Sequence, residues 1–287
     1  MAHLKDNGFT LIELSIVLVI IGLIIGGVLV GRDLIDAARI RQQISQIEQY
    51  NTAVHTFQSK YNCLPGDCAN AADFGFPARG QYAGEGDGNG VLEGVWSNNP
   101  GDNAGFWEGA GETVLFWEDL SQASLIESSF TTGNAHDTAP ARINITGTGL
   151  DAYYPHGKLS TTYVFVYSGS AANSADGINY YGLTAISYVS ANGNMAPNMG
   201  ISVSQAYSID TKIDDGMPYS GNVTTTIPIW GGALFVGNDG GPLTEPISPS
   251  ATTCVDNGGS NSGLPQRYSM SVNNGSGLNC ALSFKFQ

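Results

Sequence analysis

Hydrophobic residues dominate the first part of the chain without interruption. The segment from Phe9 to Gly31 is a run of 23 residues whose only charged side chain is Glu13. At about 1.5 Å per residue, such a run forms a helix of about 34 Å, which is long enough to cross the hydrocarbon layer of a membrane. The run is longer than the apolar region of a secretory signal peptide and has its small residues inside it. The pattern therefore predicts a membrane-spanning helix.

After this run the hydrophobic residues become periodic. They recur three or four positions apart, at Leu34, Ala37, Ile40, Ile44, Ile47, Val54, Phe57 and Tyr61. This spacing is typical of a helix with one apolar face, and no proline occurs before Pro65. The sequence therefore predicts one continuous helix of about 50 residues that is apolar all round in its first half and amphipathic in its second. A simple membrane anchor is the alternative, although an anchor does not require the helix to continue beyond the membrane.

The remainder of the chain predicts a head domain of mixed helices and strands. Residues 111–127 and 199–213 have helical periodicity, and both segments end in turn residues. Four runs rich in β-branched and aromatic residues predict strands: Thr161–Tyr167, Tyr180–Val189, Ile227–Val236 and Ala281–Phe286. Successive strands joined by turns favour an antiparallel sheet. The predicted fold class is therefore α+β, with the amphipathic half of the long helix packed on the sheet.

Charge divides the chain at the same place as hydrophobicity does. The whole chain has 25 acidic and 11 basic residues and a net charge of −14. Residues 1–61 contain five of each sign, so the net charge belongs entirely to residues 62–287. Such an acidic surface would repel phosphates, which argues against nucleic acid as a partner. The shift in composition predicts a domain boundary near Tyr61.

All four cysteines follow the apolar segment. An even number of cysteines on the non-cytoplasmic side of a membrane favours disulfides, and three pairings are possible. Cys63 and Cys68 flank a Pro-Gly turn, which makes a local bridge easy and would leave Cys254 to pair with Cys280. A zinc site is the alternative, but this spacing without a nearby histidine is poor for zinc.

A glycine-rich acidic segment predicts a calcium loop. Oxygen-bearing side chains alternate with glycine, as in an EF-hand loop, and a glycine occupies the sixth position. The candidate ligands are Glu85, Asp87, Asn89, the carbonyl of Val91, and Glu93. Trp96 stands where the loop normally ends in a bidentate glutamate, so a plain acidic surface turn is the alternative.

Two other groups of residues have types that can carry out chemistry. Asp210, Asp214 and Asp215 could form a second cation site, although a turn that ends a helix explains them better. The four histidines show no metal-binding spacing, and the chain has no nucleophile elbow, phosphate loop or dinucleotide-binding motif. The sequence therefore predicts neither an enzyme nor an organic cofactor, and a membrane-anchored enzyme is only a remote alternative.

The start of the chain resembles the prepilin signal of type IV pilins and type II secretion pseudopilins. The resemblance rests on the segment Lys5-Asp6-Asn7-Gly8-Phe9-Thr10-Leu11-Ile12-Glu13-Leu14 and the helix that follows it. It implies that residues 1–8 are a leader and that prepilin peptidase cuts between Gly8 and Phe9. The new amine of Phe9 would then be N-methylated and would pair with Glu13 of a neighbouring subunit. A carboxylate in a membrane span is costly alone, so a partner of opposite charge fits it physically.

The resemblance also implies an organisation and a function. Residues 9–61 would form the long helix, with residues 9–31 in the membrane or filament core, and residues 62–287 would form the head. The protein would be a structural subunit of a type IV pilus or similar filament, or alternatively a secretion pseudopilin. Its partners would be identical or related subunits, prepilin peptidase and an inner-membrane assembly platform. It would lie in the inner membrane with its head outside the cytoplasm before entering a periplasmic or extracellular filament.

Two further comparisons with this family are weaker. Many major pilins have a proline within the apolar helix, where this chain has Gly22, Gly26 and Gly27. These glycines could permit local unwinding or simply close approach between helices. The head loosely resembles large bacterial pilin-like proteins, through residues 60–67, 116–120 and 209–216. Because some pseudopilins hold calcium in their heads, the resemblance is consistent with the calcium loop.

Overall fold

The longest element of the molecule is a helix at its N-terminal end. The computed structural model describes residues 10–77, 79, 86–95, 104–105, 109, 111–131, 144–159, 161–168, 178–190, 195–229, 232–235, 248–259 and 266–286. Helix α1, Leu11–Tyr61, is unbroken over 51 residues and ends at Asn62, whose backbone is left-handed. The predicted continuous helix is confirmed, and it passes through Gly22, Gly26 and Gly27 without unwinding.

The two halves of α1 have different surroundings. Every large apolar side chain from Leu11 to Ile35 is exposed in the isolated chain, whereas burial against the head begins at Ile40. From there Ile47, Val54 and Phe57 form one buried face. Leu34 was predicted to lie on this face but is 66% exposed. Ala37 is exposed too, so the amphipathic packing starts later than predicted because the head covers α1 only from Ile40 onward.

Two shorter helices and twelve strands follow among the described residues. The helices are α2, Glu112–Gln122, and α3, Val203–Ile213. The strands in chain order are β1 (Gly94–Val95), β2 (Ala104–Gly105), β3 (Ile145–Thr146), β4 (Thr162–Ser168), β5 (Asn179–Val189), β6 (Met195–Asn198), β7 (Val223–Thr224), β8 (Thr226–Ile229), β9 (Gly232–Phe235), β10 (Val255–Asp256), β11 (Arg267–Tyr268) and β12 (Leu282–Lys285). Short 3-10 helices occupy Ala71–Phe74, Gly147–Ala152 and Asn273–Gly275.

The main sheet is built around β5. In the described part of the chain it contains β3, β4, β5, β6, β7 and β12, and every pairing is antiparallel. At the centre, Leu183 of β5 lies between Val164 of β4 and Leu282 of β12. Three antiparallel pairs, β1–β2, β8–β9 and β10–β11, lie outside this sheet. The predicted α+β architecture, a long helix followed by an antiparallel sheet, is confirmed.

Aromatic packing joins α1 to the head. The ring of Tyr50 on α1 meets Trp117 of α2 edge-on at a centroid distance of 4.9 Å, and Tyr181 of β5 lies 6.1 Å from Tyr50. Buried glutamines add polar anchors, since Gln46 Nε2 donates to the carbonyl of His156 at 2.8 Å. The side-chain oxygen of Gln43 accepts from the backbone N–H of Lys158 at 2.6 Å. These contacts fix the segment that leads into β4.

Element ends differ from the predictions for local reasons. Helix α2 stops at Gln122 instead of continuing to Glu127, and Ser124 just beyond it has φ of 57°, which is incompatible with a helix. Helix α3 begins only after Ser202, whose hydroxyl caps it, while Ile201 forms a β-bridge with Cys280. The single strand predicted over Ile227–Val236 is wrong, because this region forms the paired strands β8 and β9.

Candidate functional site

At the start of α1, the acidic residue Glu13 forms hydrogen bonds with Thr10 of the same chain. Thr10 is the N-cap, and its hydroxyl accepts from the backbone N–H of Glu13 at 3.3 Å. In return, the Thr10 backbone N–H and hydroxyl both donate to Glu13 Oε2, each at 2.8 Å. This arrangement is a capping box. The other carboxylate oxygen of Glu13 takes no hydrogen bond from any described residue, which leaves it available to a partner outside the chain.

The apolar half of α1 needs a covering that the isolated chain does not provide. Among the described residues, α1 is a helix long and apolar enough to cross a membrane, judged by length and composition, and none of its apolar window is buried in the head. An added Cβ at Gly22, Gly26, Gly27 or Gly31 would meet nothing within 4 Å. These glycines therefore have no packing role inside the monomer. Gly8 and Phe9, the predicted cleavage and methylation residues, lie outside the described residues.

The predicted calcium loop surrounds two acids, Asp67 and Glu112, that were not predicted from the sequence as ligands. Gly88 and Gly90 donate their backbone N–H groups to Asp67 Oδ1 and Oδ2, at 2.7 and 2.8 Å. Glu112, at the start of α2, accepts from Gly86 at 2.7 Å and from Glu93 at 2.9 Å. The carboxylates of Asp67 and Glu112 lie within 4.8 Å of each other and of the Asp87 carboxylate.

The predicted ligands do not gather as the EF-hand pattern implied. Glu85 lies outside the described residues. Asp87 and Asn89 fold back on the loop, since Asp87 Oδ1 accepts from the Asn89 backbone and Asn89 Oδ1 accepts from Val91. Glu93 Oε2 accepts from Asn89 Nδ2 at 3.3 Å. Of the five predicted ligands, the acidic cluster contains Asp87.

Burial raises the free energy of the ionised carboxylates in the cluster of Asp67, Asp87 and Glu112. Loss of water is the main reason that the pKa of Asp67 is raised to about 6, and the backbone N–H groups of Gly90 and Gly88 oppose the rise. Burial also raises the pKa of Glu112 well above its ordinary value, and the nearby charge of Asp67 raises it further. No described lysine or arginine forms an ion pair with either acid. A metal ion bound by these carboxylates would compensate their charge.

The nearest arginine has a different partner. Arg79 donates to both carboxylate oxygens of Asp119 on α2, at 2.8 and 2.7 Å, and both side chains are buried. Asp119 also accepts from the backbone N–H of Gly66 at 2.7 Å. Gly66 has φ of 86°, and an added Cβ would lie 2.4 Å from the Glu112 carbonyl oxygen. The Pro-Gly turn is thereby held against α2, which places Asp67 beside Glu112.

The second acidic group forms the turn after α3. Asp210 accepts from the Tyr268 hydroxyl at 2.7 Å and from the Gly216 N–H at 3.0 Å. Asp214 Oδ2 accepts from the backbone N–H groups of Asn222 and Val223. Asp215 accepts from the Ser220 hydroxyl and the Met217 N–H. These bonds are those of a helix-ending turn. The three carboxylates also lie within 4.8 Å of one another, so the structure does bring together the residues considered for a second cation site.

All four cysteines form disulfides within the head. Cys63 is joined to Cys68, and Cys254 is joined to Cys280. The first bridge closes the short turn that contains Asp67. The second joins Cys254, the residue before β10, to Cys280, which lies two residues before the start of β12.

The sequence around Asp67 and Glu112 gives local signals, but these do not predict that the two acids lie together. Asp67 follows a Pro-Gly turn inside a short cysteine pair, and Glu112 is the first of three acids in α2, with Glu118 and Asp119. Each is a weak signal alone. Their association with the loop depends on contacts between residues about 20 positions or more apart.

Comparisons with known proteins bear on the N-terminal end of the chain. The family model described as the prokaryotic N-terminal methylation motif matches residues 4–29. Searches of curated proteins and of solved structures gave no match. The matched segment contains Thr10, Glu13 and most of the exposed apolar half of α1. The chain thus carries the signature of type IV pilins and pseudopilins, joined to the long apolar N-terminal helix that accompanies it.

Proposed function

We propose that this chain is a structural subunit of a type IV pilus or pilus-like filament, and not an enzyme. The observation that carries the proposal is the methylation motif at the start of a helix whose apolar half is exposed and whose second half packs in the head core. A helix of this kind can leave the membrane and bury its apolar half among copies of itself while its head remains folded. The type II secretion pseudopilin is the second candidate, because the motif is common to both classes.

Processing and assembly follow from this role. Prepilin peptidase would cut between Gly8 and Phe9, and the methylated Phe9 amine would pair with Glu13 of a neighbouring subunit. The capping box supports this role, since it holds Glu13 at the start of the helix through one carboxylate oxygen. The protein would sit in the inner membrane with the disulfide-bonded head outside the cytoplasm, and an inner-membrane platform would build it into a filament.

A substitution at Glu13 tests assembly. Glu13→Gln should leave membrane insertion and leader removal intact but lower the yield of filaments at least about tenfold, because a buried ionic group without its partner costs about 3–5 kcal/mol. The measurement is the amount of chain in the sheared filament fraction relative to the membrane fraction. Glu48→Gln, on the exposed face of the same helix, is the control and should assemble normally. Normal filaments from Glu13→Gln would overturn the proposed mechanism, and a secretion defect without surface filaments in a deletion strain would favour the pseudopilin.

We further propose that the acidic cluster of the head binds calcium through Asp67, Asp87 and Glu112. The supporting observation is two buried carboxylates without a described cationic partner, next to a loop rich in oxygen ligands. Calcium prefers such carboxylate and carbonyl oxygens. Calorimetric titration of the full chain in detergent should show calcium binding. Asp67→Asn should abolish this binding, whereas the control Asp73→Asn, at an exposed aspartate outside the cluster, should retain it. Absence of binding heat and of any thermal shift with calcium would contradict this assignment.

A further inference from the structure

Several aspartate and asparagine residues of the head precede glycine, which is the most reactive context for succinimide formation. In this reaction the glycine nitrogen loses its proton and bonds to the side-chain carbonyl carbon of the preceding residue. Ammonia leaves from asparagine, or water from aspartic acid. Water then opens the ring to aspartate or isoaspartate, so no oxidant or other reactant is needed.

Two such pairs lie next to each other in the predicted calcium loop, which is called the acidic loop below. They are Asp87–Gly88 and Asn89–Gly90, and the side chains of Asp87 and Asn89 are exposed. A cleft of about 390 Å³ is lined by Asp67, Gly88 and Gly90 among others. Water therefore reaches this loop, and burial does not explain how these pairs would escape the reaction.

A single carboxylate holds both of the attacking nitrogens. The N–H of Gly88 donates to Asp67 Oδ1 at 2.7 Å, and the N–H of Gly90 donates to Asp67 Oδ2 at 2.8 Å. A nitrogen whose proton is bonded to a carboxylate is harder to deprotonate, since the resulting amide anion would face a negative charge. The hydrogen bond also keeps the nitrogen directed at Asp67.

The side chain of Asn89 is fixed as well. Its Oδ1 accepts from the Val91 N–H at 2.7 Å, and its Nδ2 donates to Asp87 Oδ2 at 3.1 Å and to Glu93 Oε2 at 3.3 Å. Both reacting groups of the Asn89–Gly90 pair are therefore engaged elsewhere.

The same arrangement recurs after α3. The N–H of Gly216, which follows Asp215, donates to Asp210 Oδ1 at 3.0 Å. By contrast, the N–H of Gly275, which follows the exposed Asn274, donates to the neutral carbonyl of Val272. The carboxylate contact is thus a feature of particular pairs and not of every such pair in the fold.

We propose that Asp67 protects Asn89 and Asp87 from deamidation and isomerisation, and that Asp210 protects Asp215 in the same way. Asn89, Asp87 and Asp215 are then latent modification sites, each controlled by the carboxylate of another residue. This assignment does not depend on filament assembly, and it describes the calcium-free loop, since Asp67 and Asp87 are also the proposed calcium ligands. It concerns the rate at which residues of the head are deamidated or isomerised as the protein ages.

Reciprocal substitutions test the proposal. The full chain in detergent is aged with a chelator present throughout, and peptide mass spectrometry then measures deamidation at Asn89 and isoaspartate at Asp87 and Asp215. Asp67→Ala should raise modification at Asn89 and Asp87 about tenfold and leave Asp215 unchanged, because a hydrogen bond to a charged group accounts for a factor of this order. Asp210→Ala should raise isoaspartate at Asp215 by a similar factor and leave Asn89 unchanged. Asn274 is the internal reference and should age equally in all three proteins.

Each variant controls for general loosening of the fold caused by the other, since both remove one buried carboxylate. Equal acceleration of all sites in both variants would mean that loss of stability alone exposes them, and it would overturn the proposal. Unchanged rates in Asp67→Ala would overturn it equally.

Discussion

The carboxylate of Asp119 links α2 to Arg79 and to the Pro-Gly turn through hydrogen bonds. It receives two bonds from Arg79 and one from the backbone of Gly66, and it is fully buried. Buried ion pairs add little stability compared with apolar packing, but removal of one partner leaves an uncompensated charge in the interior. Asp119 is therefore a residue at which a nearly isosteric change should be severe.

We expect Asp119→Asn to lower the free energy of unfolding by about 3–5 kcal/mol. The measurement is urea unfolding of the full chain in detergent, followed by the near-ultraviolet signal of the buried aromatic residues. Asp36→Asn is the matched control, because Asp36 forms an exposed pair with Arg39 at 3.8 Å. Exposed pairs contribute about 0–1 kcal/mol. A loss at Asp119 no larger than that at Asp36 would show that the buried pair is not structural.

Asp210 makes stability depend on pH. Burial raises its pKa to about 6, against the opposing hydrogen bonds of Tyr268 and Gly216. Because the folded state then binds the proton more tightly than the unfolded state, stability from this group is full below the ordinary pKa of about 4 and is lost as pH rises through about 6. Asp67 acts in the same direction.

Acidification from pH 7 to pH 5 in chelator should therefore stabilise the head, and Asp210→Asn should reduce that gain by about 1 kcal/mol. Urea unfolding at the two pH values measures the difference. Asp36→Asn should preserve the whole gain, and an Asp210→Asn protein that also preserves it would contradict the assignment.

At the scale of elements, the two disulfides should differ in their effect on stability. Cys254–Cys280 spans 26 residues and ties together segments beside β10 and β12, whereas Cys63–Cys68 spans only 5. In the chain-entropy description, the longer loop gives about 1.5 kcal/mol more stabilisation. The double substitution Cys254→Ala with Cys280→Ala should therefore lower the denaturation midpoint more than the double substitution at Cys63 and Cys68. The opposite order in urea would indicate that the short bridge acts mainly through the acidic loop.

Elements specified by nearby residues could be predicted from the sequence, and those specified by distant contacts could not. The periodicity of α1 determined its existence and length, because each turn repeats the same local pattern. The sequence predicts one strand where the structure has the β8–β9 pair, since an apolar run gives no sign of where the chain reverses. The cluster of Asp67, Asp87 and Glu112 was only partly predicted, because its acids come from a disulfide turn, a loop and a helix start. The late start of packing on α1 depends on how far the head extends, which periodicity does not encode.

At the scale of the whole molecule, charge and hydrophobicity occupy different parts of one chain. The net charge of −14 belongs to the head, whereas most of the exposed large apolar side chains among the described residues belong to α1. In the proposed filament, acidic heads would lie side by side around a core of apolar helices. Their mutual repulsion would oppose the burial that drives assembly.

Filament stability should consequently rise with salt. Between about 0.01 and 0.15 M ionic strength the screening length falls from about 30 to 8 Å, which weakens repulsion between neighbouring heads. Sedimentation of purified filaments across this range should show more assembled chain at the higher salt concentration. Dissociation on addition of salt would instead indicate that attractive ion pairs hold the heads together.

The continuity of α1 has a mechanical consequence. A single helix of about 76 Å begins at the exposed apolar half and ends beneath the head, among the rings of Phe57, Tyr61 and Phe76. Tension applied along this axis would load the head in shear, because the buried face of α1 runs parallel to the pull from Ile40 to Phe57. Shear must displace the contacts of this face together, whereas peeling would break them one at a time. Under such tension the head would resist detachment from α1 better than it would if the contacts could be peeled apart.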